Sequence, residues 1–132
     1  MLGNITQKYH DQLYVVFRVF VGLLFFQHGA QKILGMFGGQ TVELMSLFGL
    51  AGVIELVGGL MIAFGLFTRL AALFSALDMI GALVIAHLPK GLVPIQNGGE
   101  LALLYLVAFL LILAHGSQKW SLDQAVLKKE SN

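Results

Sequence analysis

The chain has 132 residues, of which 58% are apolar and only 11% charged, where an ordinary soluble domain carries about 25% charge. With a mean hydropathy of +0.84, that balance excludes a disordered chain and argues against a soluble globular domain. A net charge of +1 without a basic patch leaves no footprint for nucleic acid, and the absence of cysteine excludes disulfides, thiolate metal sites and a C-x-x-C relay.

A membrane-spanning helix needs about 20 mostly apolar residues, and four stretches approach this. The first, 13–34, is interrupted by Arg18 and turns polar at Gln27, His28, Gln31 and Lys32. It has no convincing small-residue cleavage site, so it reads as a retained helix rather than a signal peptide. Gly35–Glu43 links it to the second, 46–67, whose only charge is Glu55. Thr68-Arg69 is almost no loop, which predicts a tight antiparallel hairpin with the third span, 70–88, carrying Asp78 and His87. Pro89–Gly99, with the Asn97-Gly98-Gly99 turn signal, leads to the fourth. The apolar core there is short, Leu101–Ala114, and its flanks are expected to extend it to about 99–117. The expected fold is a single all-α domain, a four-helix transmembrane bundle.

Lys8, Arg69, Lys119, Lys128 and Lys129 fall on one side of these spans, and Lys32 and Lys90 on the other. The positive-inside rule then places both termini in the cytoplasm of a multi-pass protein of the cell membrane. Tyr14 and Trp120 fall at the cytoplasmic boundary, where amphipathic rings are favoured. Gly52, Gly59 and Ala63 share a face of the second span, and Ala71/Ser75, Ala72/Ala76 and Ala82/Ala86 recur four apart on the third. Small residues so spaced let helices approach closely in lipid.

Arg18, Glu55 and Asp78 interrupt apolar runs, at an insertion cost of about 2.5–3.5 kcal/mol each at the bilayer centre. Counted from the cytoplasmic starts of their spans, Arg18 and Asp78 differ in depth by only about 5 Å. They are therefore expected to pair, with Arg69 joining them or holding a lipid phosphate. The outer half collects His28, Gln31, Lys32, Glu55, Asn97 and Glu100. Arg18, Gly22, Phe25, Gly29 and Lys32 form one stripe with His28 beside it. His87 lies nine residues past Asp78, on the opposite face of a regular helix, and can join this group only if the helix unwinds near Pro89. A histidine and two carboxylates near a dry interior can exchange protons, as a quinone site, a proton relay or a carrier requires. No H-x3-H or H-E-x-x-H spacing supports a metal or haem.

Four blocks give the chain a family resemblance. They are Arg18-x3-Gly22-x5-His28-Gly29-x-Gln31-Lys32; Glu55-Leu56-Val57-Gly58-Gly59 followed by Gly65-Leu66-Phe67-Thr68-Arg69-x-Ala71-Ala72; Asn97-Gly98-Gly99-Glu100-Leu101-Ala102 with Tyr105; and Gly116-x2-Lys119-Trp120-Ser121-Leu122-Asp123. In this order they resemble the DoxX family of small membrane proteins. Ser117-Gln118 departs from the expected Pro or Ala followed by Gly. The resemblance implies a four-helix transmembrane fold and an oxidoreductase role, since the family takes its name from a subunit related to thiosulfate:quinone oxidoreductase. On that reading His28, Glu55 and Glu100 handle protons, while Gln31, Lys32, Asn97 and His87 hold the substrate. Quinone is the implied cofactor, with none bound covalently. The lipid bilayer and a soluble or membrane redox subunit are the expected partners, and a homo-oligomer is compatible with them. Two other functions fit the same residues: a non-catalytic membrane assembly or chaperone-type protein, and a small solute or proton carrier.

Overall fold

The computed structural model describes residues 1–126, and every regular element among them is helical. Lys128 and Lys129, counted above toward the cytoplasmic charge, lie outside the described residues. A short exposed helix α1 (Leu2–Lys8) breaks at Tyr9 and leads into α2 (His10–Leu34). Then follow α3 (Leu47–Phe64) and α4 (Thr68–Ala82), the latter running on through a π-helical turn (Leu83–His87) and a 3-10 turn (Leu88–Lys90). After these come α5 (Pro94–Asn97), α6 (Glu100–His115) and α7 (Leu122–Val126).

Local chemistry sets the boundaries. Ser46 starts α3, its hydroxyl accepting the Gly49 N–H at 3.1 Å, the side-chain cap that exposed first-turn N–H groups need. Gly65, at φ 70, ends it. There the Leu66 N–H reaches the Met61 carbonyl at 2.8 Å and the Gly65 N–H the Ile62 carbonyl at 3.1 Å, a paired termination that requires a left-handed residue. The α3–α4 hairpin is thus as tight as expected, but its turn is Gly65–Phe67. Thr68 and Arg69 already belong to α4.

Among the described residues three helices are long and apolar enough to cross a membrane: α2, α3 and the continuous Thr68–Lys90. The fourth is shorter than the sequence led us to expect. Helix α6 has 16 residues, about 24 Å at 1.5 Å per residue, against a hydrocarbon thickness of about 30 Å. Its flanks do not extend it, because Gly98 (φ 77) and Gly116 (φ 76) turn the backbone out of the helix at both ends.

Helix α3 packs against α2 and α4, and α4 against α6. The α2–α3 seam is made of backbone. A Cβ on Gly22 would fall 2.5 Å from the Ala63 nitrogen, and one on Gly59 would fall 2.5 Å from the Phe26 nitrogen. Gly22 and Gly29 therefore face Gly52, Gly59 and Ala63 in a contact closer than any side chain permits. Across the interior, Phe25 meets Phe109 edge-on at 4.6 Å and Tyr105 at 5.2 Å. These rings pack with Ile62, Ala72, Ala76, Met79 and Ile112. The exterior is also apolar, with Leu13, Phe20, Phe64, Phe74 and Leu104 exposed. Such a surface suits hydrocarbon and not water.

Candidate functional site

The intramembrane charges fall into two groups, but not with the membership the spacing suggested. At one end Arg18 is 1% exposed. Its guanidinium donates to the Ile62 carbonyl at 3.1 Å, Ser117 at 2.5 Å, Trp120 at 2.9 Å and, more weakly, Lys119 at 3.4 Å. Left-handed backbone at Gln118 (φ 58) and Trp120 (φ 52) curls the loop so that these carbonyls converge. Beside it, buried Asp123 of α7 accepts the N–H groups of Phe67 and Thr68 and the Thr68 hydroxyl, capping α4. Arg69 donates to the Leu113 and Ala114 carbonyls at the end of α6. All three residues close the ends of helices.

Arg18 does not pair with Asp78. Among the described residues the lysine and arginine ion pairs are Lys32–Glu55 and Lys119–Asp11. The reason is depth. The Arg18 head lies level with the α3–α4 turn, its Cζ 3.2 Å from where a Gly65 Cβ would stand. Asp78 is ten residues on from Thr68, about 15 Å further along the helix. A long arginine reaches back toward its own end of the helix, which counting Cα positions does not capture. Arg69 likewise joins neither residue.

Asp78 belongs to the other group. There Lys32 Nζ meets Glu55 Oε1 at 2.5 Å, with the Glu55 side chain 4% exposed. Asp78 lines a cavity with both residues and faces the Glu55 carboxyl across the α3–α4 interface. Its Oδ2 is buried without a hydrogen-bond partner. Two cavities flank the Lys32–Glu55 pair. One, about 410 Å³, is a groove between α3 and α4 bounded by Phe48, Phe74, Leu77 and Ile85 and ending on Asp78, Lys32 and His87. The other, about 260 Å³, lies among α2, α4 and α6 and is lined by His28, Tyr105, Leu101 and Gly98. Lys32, Glu55, Ala82 and His87 line both and form the wall between them.

His87 enters because the helix does unwind. The π-helical turn Leu83–His87 inserts extra backbone just before Pro89, and single π turns recur at functional sites. Its Nδ1 lies 3.1 Å from the Asn97 carbonyl. A carbonyl can only accept, so Nδ1 donates in this contact. His28 stands edge-on to Tyr105, ring centres 5.8 Å apart.

Other expected members lie apart. Glu100 is exposed in the first turn of α6 and lines neither cavity; a carboxylate there suits the helix dipole. Gln31 donates to the Phe37 carbonyl at 3.1 Å and steadies the α2–α3 loop. Asn97 is buried, but its side chain is occupied. The amide donates to the Gly91 carbonyl at 2.9 Å, and the oxygen accepts the Gly99 N–H at 2.7 Å. It shapes the loop that presents its own carbonyl to His87. Sequence reasoning missed the capping role of Asp123 and the place of Tyr105 in the lining of the second cavity. Both sit in the blocks quoted above, and that membership was the only signal for them. Among the described residues no cluster of three or more His, Cys, Asp or Glu could hold a metal ion.

Several apolar helices with an ion pair held between them describe a multi-pass helical membrane protein. The chain belongs to the DoxX family, whose profile matches residues 13–88. It is 38% identical to an uncharacterized protein of Haemophilus influenzae, over 96% of this chain and 99% of that one. It is 33% identical to a Bacillus subtilis protein named "Putative oxidoreductase CatD", covering 89% of this chain and 90% of the relative. An uncharacterized membrane protein of Mycobacterium tuberculosis is 31% identical, covering 87% and 82%. No solved structure matches the chain.

Proposed function

We propose that this protein is the membrane component of a quinone-linked redox system. In this reading it is a single domain, a four-helix transmembrane bundle in the cell membrane with both termini cytoplasmic. The observation that carries the redox reading is the meeting of Lys32, Glu55, Asp78, His28 and His87 around two cavities inside an otherwise apolar protein. Ionisable groups at membrane depth are retained for ion pathways and ligand sites. Reduction of a quinone consumes two electrons and two protons. This site offers carboxyl and imidazole groups to supply protons and an ammonium to steady a quinone oxygen. The Bacillus relative's name is in keeping with it.

The chain has no cysteine and no dinucleotide fingerprint, so the electrons come from outside it. A partner subunit or a reduced-sulfur donor such as thiosulfate or a dithiol would supply them. Glu55 and His28 are assigned to proton transfer and Lys32 to holding the quinone oxygen. Glu100, exposed and off both cavities, is left out of the path. The orientation rests on Lys8, Arg69 and Lys119, which lie at the Arg18 end and obey the positive-inside bias. The test is quinol formation by the purified protein in lipid, supplied with thiosulfate or a dithiol. Glu55→Gln and His28→Ala are each expected to slow turnover by about a hundredfold, the usual worth of a placed acid or base. Unchanged turnover in both would sink these assignments.

A further inference from the structure

The two cavities differ in where they open. The α3–α4 groove is bordered by Leu47, Phe48, Leu50, Phe74, Leu77 and Ile85, all exposed on the apolar exterior. A molecule reaches it from the side, out of the hydrocarbon. Its far end is different: Glu55 is committed to Lys32, while Asp78 faces the Glu55 carboxyl and its Oδ2 is buried without a hydrogen-bond partner. A buried oxygen without a partner costs about 1–3 kcal/mol. Such a group in a native protein calls for an explanation, and a site that a ligand completes is one. The volume of about 410 Å³ falls in the range of small-molecule sites, mostly apolar with a few polar groups that fix orientation.

We propose that the groove between α3 and α4 is a lateral port through which a quinone-type amphiphile enters from the bilayer, its head carbonyl accepting a hydrogen bond from the Asp78 carboxyl in its acid form and its tail lying along Phe48, Phe74 and Leu77. This rests on the quinone reading above and adds to it the entry route and the residue that meets the head. Asp78, not Glu55, contacts the ligand, since Glu55 is committed to Lys32. The second cavity, behind the Lys32–Glu55 wall, holds His28 and serves as the proton side.

Gly81 allows a clean test. It lines the groove, and a Cβ there would meet nothing within 4 Å. Gly81→Leu therefore fills the port without straining the backbone. Asp78→Leu removes the hydrogen-bonding group and, by deleting an unpartnered buried oxygen, leaves thermal stability unchanged or higher. Leu101→Trp fills the mouth of the second cavity. Decylubiquinone is titrated calorimetrically into nanodiscs carrying the full chain, with empty nanodiscs as blank. Gly81→Leu and Asp78→Leu should each weaken binding roughly tenfold or more, and Leu101→Trp should leave it intact. Binding lost only in Leu101→Trp, or unchanged in all three, overturns the port while the quinone reading stands. No binding to the unaltered chain overturns both. Binding lost in the two groove variants, with no quinol formed from any donor, upholds the port and overturns the redox reading.

Discussion

Asp123 caps the first turn of α4 across 55 residues of sequence, its carboxylate accepting the Thr68 N–H and hydroxyl, each at 3.0 Å, and the Phe67 N–H at 2.6 Å. The cap also fixes the loop whose carbonyls surround Arg18, because Asp123 N–H returns to the Gly65 carbonyl at 2.8 Å. The C-terminal segment is thereby tied to the α3–α4 hairpin. Asp123→Ala leaves the Phe67 and Thr68 N–H groups and the Thr68 hydroxyl without their acceptor and is expected to destabilise the protein by about 2–3 kcal/mol. Thermal unfolding in detergent measures it, and Asp123→Asn should recover part of the loss.

The Arg18 cradle is made of carbonyls, which favour a planar fork of donors over a point charge. Arg18→Lys keeps the charge but cannot reach Ile62, Ser117 and Trp120 together. It should cost about 2–3 kcal/mol while leaving decylubiquinone affinity unchanged, since Arg18 lines neither cavity. A selective loss of affinity at full stability would contradict its placement as a structural residue.

Glycines on α3 and α4 should respond in opposite directions. Gly59→Ala drives a Cβ to within 2.5 Å of the Phe26 backbone, and overpacking of this kind costs about 1–3 kcal/mol. Gly81→Ala meets nothing and should gain about 0.5–1 kcal/mol from helix propensity alone. Melting temperatures of the two variants in one detergent settle the comparison.

Lys32 and Glu55 should be coupled. Lys32→Met strands a carboxylate that is 4% exposed, and breaking a buried pair costs about 3 kcal/mol or more. The double variant Lys32→Met/Glu55→Gln should be more stable than Lys32→Met alone, because the uncompensated charge is gone. A double-mutant cycle with additive effects would mean that the contact contributes nothing.

Composition and hydropathy alone determined that the chain is helical and made for lipid, and the periodic small residues marked the faces that meet. That follows because the apolar length of each run and the helical repeat are local properties. Glu55 was also legible, since a lone charge in the second apolar run, on the same face as Gly52 and Gly59, must turn inward to the seam. Where each charge ends up was not legible. Arg18 has a long side chain that reaches toward its helix end, so it finds loop carbonyls and not Asp78. Asp78 and His87 share a cavity only because a π turn shifts the register of the helix between them, a change the regular repeat cannot foresee. The partners of the intramembrane charges are set by side-chain reach and by a local departure from helical geometry, and both exist only once the helices are packed.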